Sequence, residues 1–223
     1  LGFVAGFTGK AIEDGLAAQG IHTDFIHLPE GNSRINVKVK HGDETEINGQ
    51  GPVITEEAIN ELFAKLDTLT KEDILVLAGS IPNTLPEDIY EKILASLESK
   101  GIRIVVDATK DLLLNVLKYH PFLIKPNNHE LGEMFGIVCK TDEDIVHYAK
   151  KLQEKGAVNV LISMAGDGAI LITEDGQNIK MGTPKGKVVN SVGAGDSMVA
   201  GFITGYIRGG NYEEALKSGT AAG

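Results

Sequence analysis

The 223-residue sequence has no tryptophan, a single cysteine and fewer basic than acidic residues. With Cys139 alone, an internal disulfide is excluded, and we expect a reducing, cytoplasmic setting. The 21 Lys and Arg residues against 31 Asp and Glu residues give a formal net charge of −10, which argues against a protein that binds the nucleic-acid backbone. The six histidines form no H-E-x-x-H motif and no Cys/His cluster, so we expect no zinc site.

Long apolar runs are also absent. No stretch approaches the roughly 18 apolar residues of a membrane-spanning helix, and no export signal is visible, so we do not expect a membrane protein. A composition of 42% hydrophobic and 23% charged residues is typical of a globular protein with one main domain. Any phosphate that so acidic a chain binds must be held by a local arrangement of donors.

From residue 55 onward, helical patterns alternate with short apolar runs. The runs are ILVLAGS, RIVVDAT, FLIKP and NVLISMA, and nearly continuous hydrophobicity of this kind is typical of parallel strands buried on both faces. We therefore predict an α/β fold with a mostly parallel central sheet and helices on both faces. The segment GAILITEDGQNIKMG predicts a hairpin. The predicted helices lie near 55–66, 86–100, 110–118, 128–136 and 142–155.

The segment 21–51 has a different rhythm, which follows a predicted helix over 10–19. In RINVKVK, polar and apolar residues alternate, so Ile35 and Val37 share one face and Arg34 and Asn36 the opposite face. We predict a small sheet of short strands that lies over the rest of the protein as a lid.

Small or polar residues end four of the predicted strands. Any one of them could simply be a loop residue that meets water. Together they favour a polar cleft, because ligands bind at the carboxyl ends of parallel strands. The residues at or just beyond these ends are Gly79, Ser80, Asp107, Thr109, Lys125, Asn127, Glu130, Ser163, Gly166 and Gly168.

Two common nucleotide motifs are not met. In GFTGK, Val4 replaces the first glycine of a Walker A loop and Ala11 replaces its hydroxyl residue, which excludes a typical P-loop enzyme. In GAGDSM, Met198 replaces the third glycine of the dinucleotide fingerprint, and no βαβ unit precedes it. An NAD(P)-dependent oxidoreductase is therefore disfavoured.

The segment NSVGAGDSMVAGF is more informative. Gly193, Ala194 and Gly195 allow a tight turn whose N–H groups converge at the start of a helix, where anions bind. Asp196 follows directly, and its carboxylate could be a helix cap, a metal ligand or a catalytic base. Phosphoryl transfer would use both features, with the carboxylate as base and the N–H groups stabilising the transferred phosphoryl group.

Five segments resemble the ribokinase-like sugar kinases, and within them the branch that contains 1-phosphofructokinase and tagatose-6-phosphate kinase. The similarity extends over essentially all 223 residues, and ETEINGQGP is more similar to the 1-phosphofructokinases. The segments are KGKVVNSVGAGDSMVAGF, LIKPNNHELGEMFG, LVLAGSIP, VLISMAGDGAIL and NSRINVKV.

The resemblance implies roles for single residues. Asp196 matches the catalytic base, and Gly193, Ala194 and Gly195 match the anion hole. Asn127 and Glu130 match the N-x-x-E motif, which organises Mg²⁺ through water. The remaining implied roles are sugar-phosphate binding by Arg34, Asn36 and Ser80, and ATP binding by Lys125, Asn127, Ser163, Ala165, Gly166 and Gly168. At Ala165 many relatives have glycine.

For three of these residues, a purely structural role without a function in the site stays open. Asp196 could be an ordinary first-turn residue of its helix, and Glu130 likewise. Arg34 could be a solvated charge on an edge strand.

The activity that the resemblance implies is ATP- and Mg²⁺-dependent phosphorylation of a sugar phosphate, namely fructose 1-phosphate to fructose 1,6-bisphosphate. Tagatose 6-phosphate and fructose 6-phosphate are the alternative acceptors, since each also keeps a phosphate for Arg34. A non-catalytic nucleotide or sugar-phosphate sensor on the same fold is the alternative from another class. No nucleic-acid or membrane partner is expected.

The resemblance also implies a domain organisation. Residues 1–20 and 52–223 would form the nucleotide- and substrate-binding body, and residues 21–51 the lid, which would pair two subunits into a homodimer. Because the chain starts inside a glycine-rich segment and stops inside a predicted helix, we expect a truncated protein. The resemblance implies that the N-terminal substrate loop and the C-terminal helices of the adenine pocket are the parts it lacks.

Overall fold

The structure is a computed structural model that describes residues 1–41, 43–79, 81–188 and 191–223, with the backbone alone at residues 40, 41 and 43–46. The chain divides into two compact units, Leu1–Leu69 with Ile81–Ile89, and Thr70–Ser80 with Tyr90–Gly223. The predicted division into a body and a lid at 21–51 remains a prediction.

The first unit contains two two-stranded sheets. Strands β1 and β2 pair in parallel, β3 and β4 form an antiparallel hairpin, and helix α2 packs on β2. The elements are β1 (Gly2–Ala5), α1 (Gly6–Ala18), β2 (Phe25–Leu28), β3 (Asn36–His41), β4 (Asp43–Asn48) and α2 (Glu56–Asp67).

Two details of this unit differ from the sequence-based expectation. The predicted small sheet is confirmed as the antiparallel pair of β3 and β4, whereas β2, which also lies within 21–51, pairs with β1 in another sheet. Helix α1 begins at Gly6 and not at residue 10, and Gly6 has a left-handed φ of +58° at the turn from β1 into the helix.

The alternation predicted for RINVKVK is present in the hairpin. Val37 pairs with Ile47 across β3 and β4, and both side chains are about half exposed, at 46% and 60%. Ile35 and Val39 are similarly exposed at 59% and 45%, so one apolar face of the hairpin is open in this chain.

The second unit is built on a six-stranded sheet of order β10-β9-β8-β7-β6-β5. The four strands from β5 to β8 are parallel, while β9 and β10 continue the sheet as an antiparallel meander that includes the predicted hairpin. The predicted mostly parallel sheet is confirmed. The strands are β5 (Ile74–Ala78), β6 (Arg103–Asp107), β7 (Leu123–Ile124), β8 (Asn159–Ser163), β9 (Ala169–Ile172) and β10 (Asn178–Met181).

Helices flank this sheet. The bounds of the four helices from residue 89 to residue 154 agree with the predicted ones within three residues, and short 3₁₀ turns at Glu98–Lys100 and Leu117–Tyr119 complete two of them. None of the helices that the structure describes is both long and apolar enough to cross a membrane. The helices are α3 (Ile89–Leu97), α4 (Lys110–Val116), α5 (Asn128–Phe135), α6 (Asp142–Glu154), α7 (Ala194–Gly209) and α8 (Tyr212–Ala222).

The core of this unit joins the sheet to α7 and α8. Val105, Leu123 and Leu161 from three neighbouring strands are fully buried against Phe202 of α7 and Leu216 of α8. This packing fixes the axis of α7, whose first turn carries the predicted anion-binding residues.

Candidate active site

The carboxyl ends of β6, β7 and β8 lie side by side. Just beyond β7, the Lys125 N–H donates to the Val106 carbonyl of β6, at 3.3 Å, and Asn127 forms a bridge with Ser163 at the end of β8. The structure therefore brings together three of the predicted ATP-binding residues. Ser80, predicted to bind the sugar, lies outside the described residues.

An ion pair lies at this edge of the sheet. The Lys125 Nζ is 3.2 Å from Asp107 Oδ1, and the two side chains are only 8% and 18% exposed. Burial raises the pKa of Asp107 above its usual range, and the Lys125 ammonium opposes that effect only partly. The negative charges of Asp196 and Glu130 raise the pKa of Asp107 further. One ammonium and three carboxyl groups therefore share this neighbourhood.

The first turn of α7 lies against Lys125. Gly193 precedes the helix with a left-handed φ of +80°, and a Cβ at Gly195 would lie 3.3 Å from Lys125 Nζ. The Ala194 N–H donates to the Ser191 carbonyl at 3.2 Å, which closes the turn. Asp196 is exposed in the first turn of the helix. Gly193 thus allows the left-handed turn before the helix, and Gly195 allows the Lys125 side chain to approach the start of α7 closely.

The N-x-x-E motif forms a capping box at the start of α5. Asn127 Oδ1 accepts the N–H groups of His129, at 2.9 Å, and Glu130, at 2.8 Å, while Glu130 Oε2 accepts the Asn127 N–H at 2.7 Å. Both residues therefore stabilise the start of the helix. Their predicted role toward Mg²⁺ remains a prediction. Among the described residues, no three His, Cys, Asp or Glu side chains converge as a direct metal site.

The loop after β8 is tightly constrained. Ala165 has a left-handed φ of +49°, and Gly168 has a φ of +92° at a point where a Cβ would overlap the Met181 carbonyl oxygen. The Met164 N–H donates to the Gly168 carbonyl at 2.8 Å, and the Thr183 hydroxyl donates to the Gly166 carbonyl at 2.9 Å. A left-handed backbone of this kind is adopted more easily by glycine than by a residue with a Cβ.

The two remaining predicted residues belong to the first unit. Arg34 lies just before β3 and Asn36 is its first residue, and both are exposed. Asn36 pairs with Asn48 in the hairpin register.

Asp107 is the charged residue that the predicted site omitted. Its position at the end of a buried strand was visible in the sequence, but its pairing with Lys125 depends on β6 and β7 being neighbours. Tyr90 is a second addition, since its hydroxyl donates to the Ala78 carbonyl at 3.1 Å and its pKa is raised by burial and by the charge of Asp107.

The sheet order, the polar strand ends and the glycine turn before α7 define a ribokinase-like α/β fold. Ribokinase of Arabidopsis thaliana, in complex with ribose and ATP, matches 99% of this chain and 72% of its own with a TM-score of 0.77 and 19% identity. A candidate phosphofructokinase of Staphylococcus aureus is 44% identical with a TM-score of 0.88, over 98% of this chain and 71% of its own.

Sequence comparison gives the family. The model of the pfkB family carbohydrate kinases matches residues 1–223. The 1-phosphofructokinase of Bacillus subtilis is 49% identical over 223 residues, which are all of this chain and 73% of that protein. D-tagatose-1-phosphate kinase of Bacillus licheniformis is 38% identical over all of this chain and 73% of its own length. The chain therefore belongs to the pfkB family of carbohydrate kinases, which transfer a phosphoryl group to a sugar hydroxyl.

Proposed function

We propose that the protein transfers the γ-phosphoryl group of ATP to the C6 hydroxyl of fructose 1-phosphate, which gives fructose 1,6-bisphosphate and ADP. The observation that carries this proposal is Asp196 in the first turn of α7, after a glycine turn that lies against the buried Lys125. The 49% identity to a 1-phosphofructokinase supports the acceptor.

In this proposal Asp196 acts as the base. Its carboxylate takes the proton of the C6 hydroxyl while the oxygen forms a bond to the γ-phosphorus and the bond to the ADP oxygen breaks. The backbone of Gly193, Ala194 and Gly195 stabilises charge on the transferred group, together with the positive end of α7. The Ala194 N–H donates a hydrogen bond to the Ser191 carbonyl. To stabilise the transferred phosphoryl group, this N–H must give up that carbonyl and donate to a phosphoryl oxygen instead.

The charge balance of the site supports a need for Mg²⁺. Asp107, Glu130 and Asp196 place three carboxyl groups near one ammonium, so a bare nucleotide polyphosphate would meet net repulsion. Mg²⁺ keeps several waters and uses one or two carboxylates together with the phosphates, so a single carboxylate such as that of Glu130 is enough on the protein side. Glu130 and Asn127 would hold the hydrated ion, whose charge would offset that of the phosphates.

The remaining predicted residues receive binding roles in this proposal. Lys125 contacts an ATP phosphate, and Arg34 with its planar guanidinium binds the phosphate of the acceptor. Asn36 and Ser80 contact the sugar. The loop residues Ser163, Ala165, Gly166 and Gly168 line the nucleotide.

We also propose a cytoplasmic homodimer that forms through the hairpin. The exposed apolar side chains of Ile35, Val37, Val39 and Ile47 support this assembly, since a partner would cover them. Val37→Lys should shift the protein from dimer to monomer in sedimentation, while a monomeric wild type would contradict the proposal.

A related acceptor has specific support. One matched relative is named 1-phosphofructokinase and another D-tagatose-1-phosphate kinase. The tagatose phosphate in the second name has its phosphate at C1. Tagatose 1-phosphate is thus a further candidate acceptor, beside the tagatose 6-phosphate that the resemblance implied.

The test is ATP-dependent ADP release with five acceptors: fructose 1-phosphate, tagatose 1-phosphate, fructose 6-phosphate, tagatose 6-phosphate and fructose. We expect the highest kcat/KM with fructose 1-phosphate. A higher value with another sugar phosphate would keep the chemistry and change the acceptor. Tight binding of ATP and sugar phosphate without turnover would instead favour a sensor.

A further inference from the structure

Ser33 is among the few polar residues that are buried in the described part of the chain, with 9% of its surface exposed. Each of its three polar groups forms a hydrogen bond with Ala5 or Thr8, the residues at the junction between β1 and α1. Its N–H donates to the Ala5 carbonyl at 2.9 Å, its Oγ accepts the Ala5 N–H at 3.0 Å, and its carbonyl accepts the Thr8 hydroxyl at 2.8 Å. These bonds join segments that lie 25 to 28 residues apart in the sequence.

The packing around Ser33 leaves little freedom. A Cβ at Gly9 would lie 3.0 Å from the Ser33 Oγ and 2.9 Å from the Val4 Cβ. The Ser33 hydroxyl therefore fits against α1 only because residue 9 has no side chain. At Gly6, a Cβ would overlap the Asn32 side-chain oxygen and lie 2.5 Å from the Gly31 carbonyl oxygen. The turn at residues 31–33 therefore rests directly on the first turn of α1.

Arg34 is the next residue, and its side chain is exposed. Among the described side chains, no carboxylate forms an ion pair with its guanidinium. The backbone of Arg34, in contrast, directly follows the anchored residue Ser33. A charged side chain that must meet a phosphate dianion gains affinity when its backbone is already in place.

We propose that Ser33 is a positioning residue, which anchors Arg34 to the β1–α1 junction so that the guanidinium is preorganised for the phosphate of the acceptor sugar. This inference rests on the proposed function. Removal of the hydroxyl leaves the buried Ala5 N–H without its partner and loosens the turn before Arg34. The effect should fall on sugar-phosphate binding and leave the phosphoryl-transfer step largely intact.

The experiment is a double-mutant cycle of Ser33→Ala and Arg34→Ala in the kinase assay. We expect Ser33→Ala to raise the KM for fructose 1-phosphate about five- to tenfold, with the KM for ATP and kcat within about twofold of wild type. In the Arg34→Ala background, Ser33→Ala should add little, since the side chain it positions is gone. Ser96→Ala removes a hydroxyl that donates to the Ile93 carbonyl elsewhere in the chain, and it should change neither KM.

An equal rise of both KM values, or the same effect of Ser33→Ala with and without Arg34, would overturn the inference in favour of a merely structural role. If Ser33→Ala does not fold, Thr8→Val removes another of the three bonds and should give a smaller rise of the same kind. Failure of the proposed function is recognised separately, because the wild type itself would then turn over no sugar phosphate.

Discussion

The Nζ atom of Lys125 lies 3.2 Å from Oδ1 of Asp107, at the adjoining ends of two parallel strands. The pair is mostly buried, yet the pKa of Asp107 is still raised, because the loss of hydration outweighs the attraction of the ammonium. Lys125 is therefore paired with a carboxyl group whose ionised form is disfavoured by burial and by neighbouring negative charges. In the proposed function, Lys125 exchanges this partner for a phosphate of ATP.

Replacement of Lys125 should raise the pKa of Asp107 further. Lys125→Met removes the attraction that lowers the pKa and leaves both burial and the repulsion from Asp196 and Glu130. Since the folded pKa lies above the unfolded one, the free energy of unfolding falls as pH rises from the ordinary aspartate value through the raised one. The variant should lose up to about 3 kcal/mol at neutral pH and less near pH 4.

Carboxyl-carbon NMR titration and denaturant unfolding at several pH values would measure these two effects. Lys118→Met is the matched control, because Lys118 pairs with Glu91 at the surface and should leave the pKa of Asp107 unchanged. A lower pKa of Asp107 in Lys125→Met would contradict the prediction.

The role of Asp196 can be tested with a charge-neutral variant. Asp196→Asn keeps the size of the side chain but cannot accept the hydroxyl proton, so kcat should fall by about 10² to 10⁴ while the KM for ATP changes little. Glu213→Gln changes an exposed acid in the first turn of α8 and should leave kcat unaltered. A kcat for Asp196→Asn within about threefold of wild type would reduce Asp196 to an ordinary first-turn residue.

A comparison of the capping boxes at the starts of α5 and α6 can separate an effect on helix stability from an effect on function. Asn127→Ala at α5 and Thr141→Ala at α6 each remove an N-cap acceptor, so each should cost about 0.5–2 kcal/mol of stability. Only Asn127→Ala should also lower activity, since α6 lies outside the proposed site. Equal activities of the two variants, with equal unfolding free energies, would limit the N-x-x-E motif to capping.

The charge of Glu130 can be removed while its cap is kept. In Glu130→Gln the amide oxygen can still accept the Asn127 N–H, so stability should change by less than about 0.5 kcal/mol. Activity should require more Mg²⁺ for half-saturation if the carboxylate serves the hydrated ion. Asp144→Asn makes the same change in the capping box of α6 and should leave the Mg²⁺ titration curve as it is.

Local patterns predicted most of the second unit. Helices α5 and α6 begin within one residue of the predicted positions, because hydrophobic periodicity and polar N-caps coincide there. The buried strand β8 was visible as the apolar run NVLIS. Strand pairing was harder to predict, because alternation indicates a strand but not the strand it pairs with. For that reason the sequence did not predict that β2 pairs with β1.

The same limit applies to the site. The sequence placed Asp107 and Lys125 at strand ends, but the distance between them depends on strand order, which no local pattern contains. The left-handed backbone of Ala165 was also invisible, although the resemblance indicated that glycine is common there.

The backbone at Ala165 leads to a stability prediction. A left-handed conformation costs a non-glycine residue about 1–2 kcal/mol, so Ala165→Gly should raise the unfolding free energy by about 0.5–1 kcal/mol after the greater entropy of the unfolded glycine is counted. Ala11→Gly, at an exposed position inside α1, should lower it by about 1 kcal/mol. Destabilisation by both variants would show that the φ of Ala165 carries no strain.

The contact between α7 and α8 gives the last prediction, because it fixes the helix that carries Asp196. A Cβ at Gly205 would lie 2.7 Å from the Glu214 carbonyl oxygen, so the two backbones touch and neither can yield easily. Gly205→Ala should therefore cost about 1–3 kcal/mol of stability and lower kcat by moving the start of α7. Gly15→Ala is its matched control: nothing lies within 4 Å of a Cβ at this position in α1, so the variant should gain about 0.5–1 kcal/mol. Denaturant unfolding and the kinase assay would test both variants. A destabilised Gly205→Ala with an unchanged kcat would mean that α8 supports the fold without positioning the proposed base.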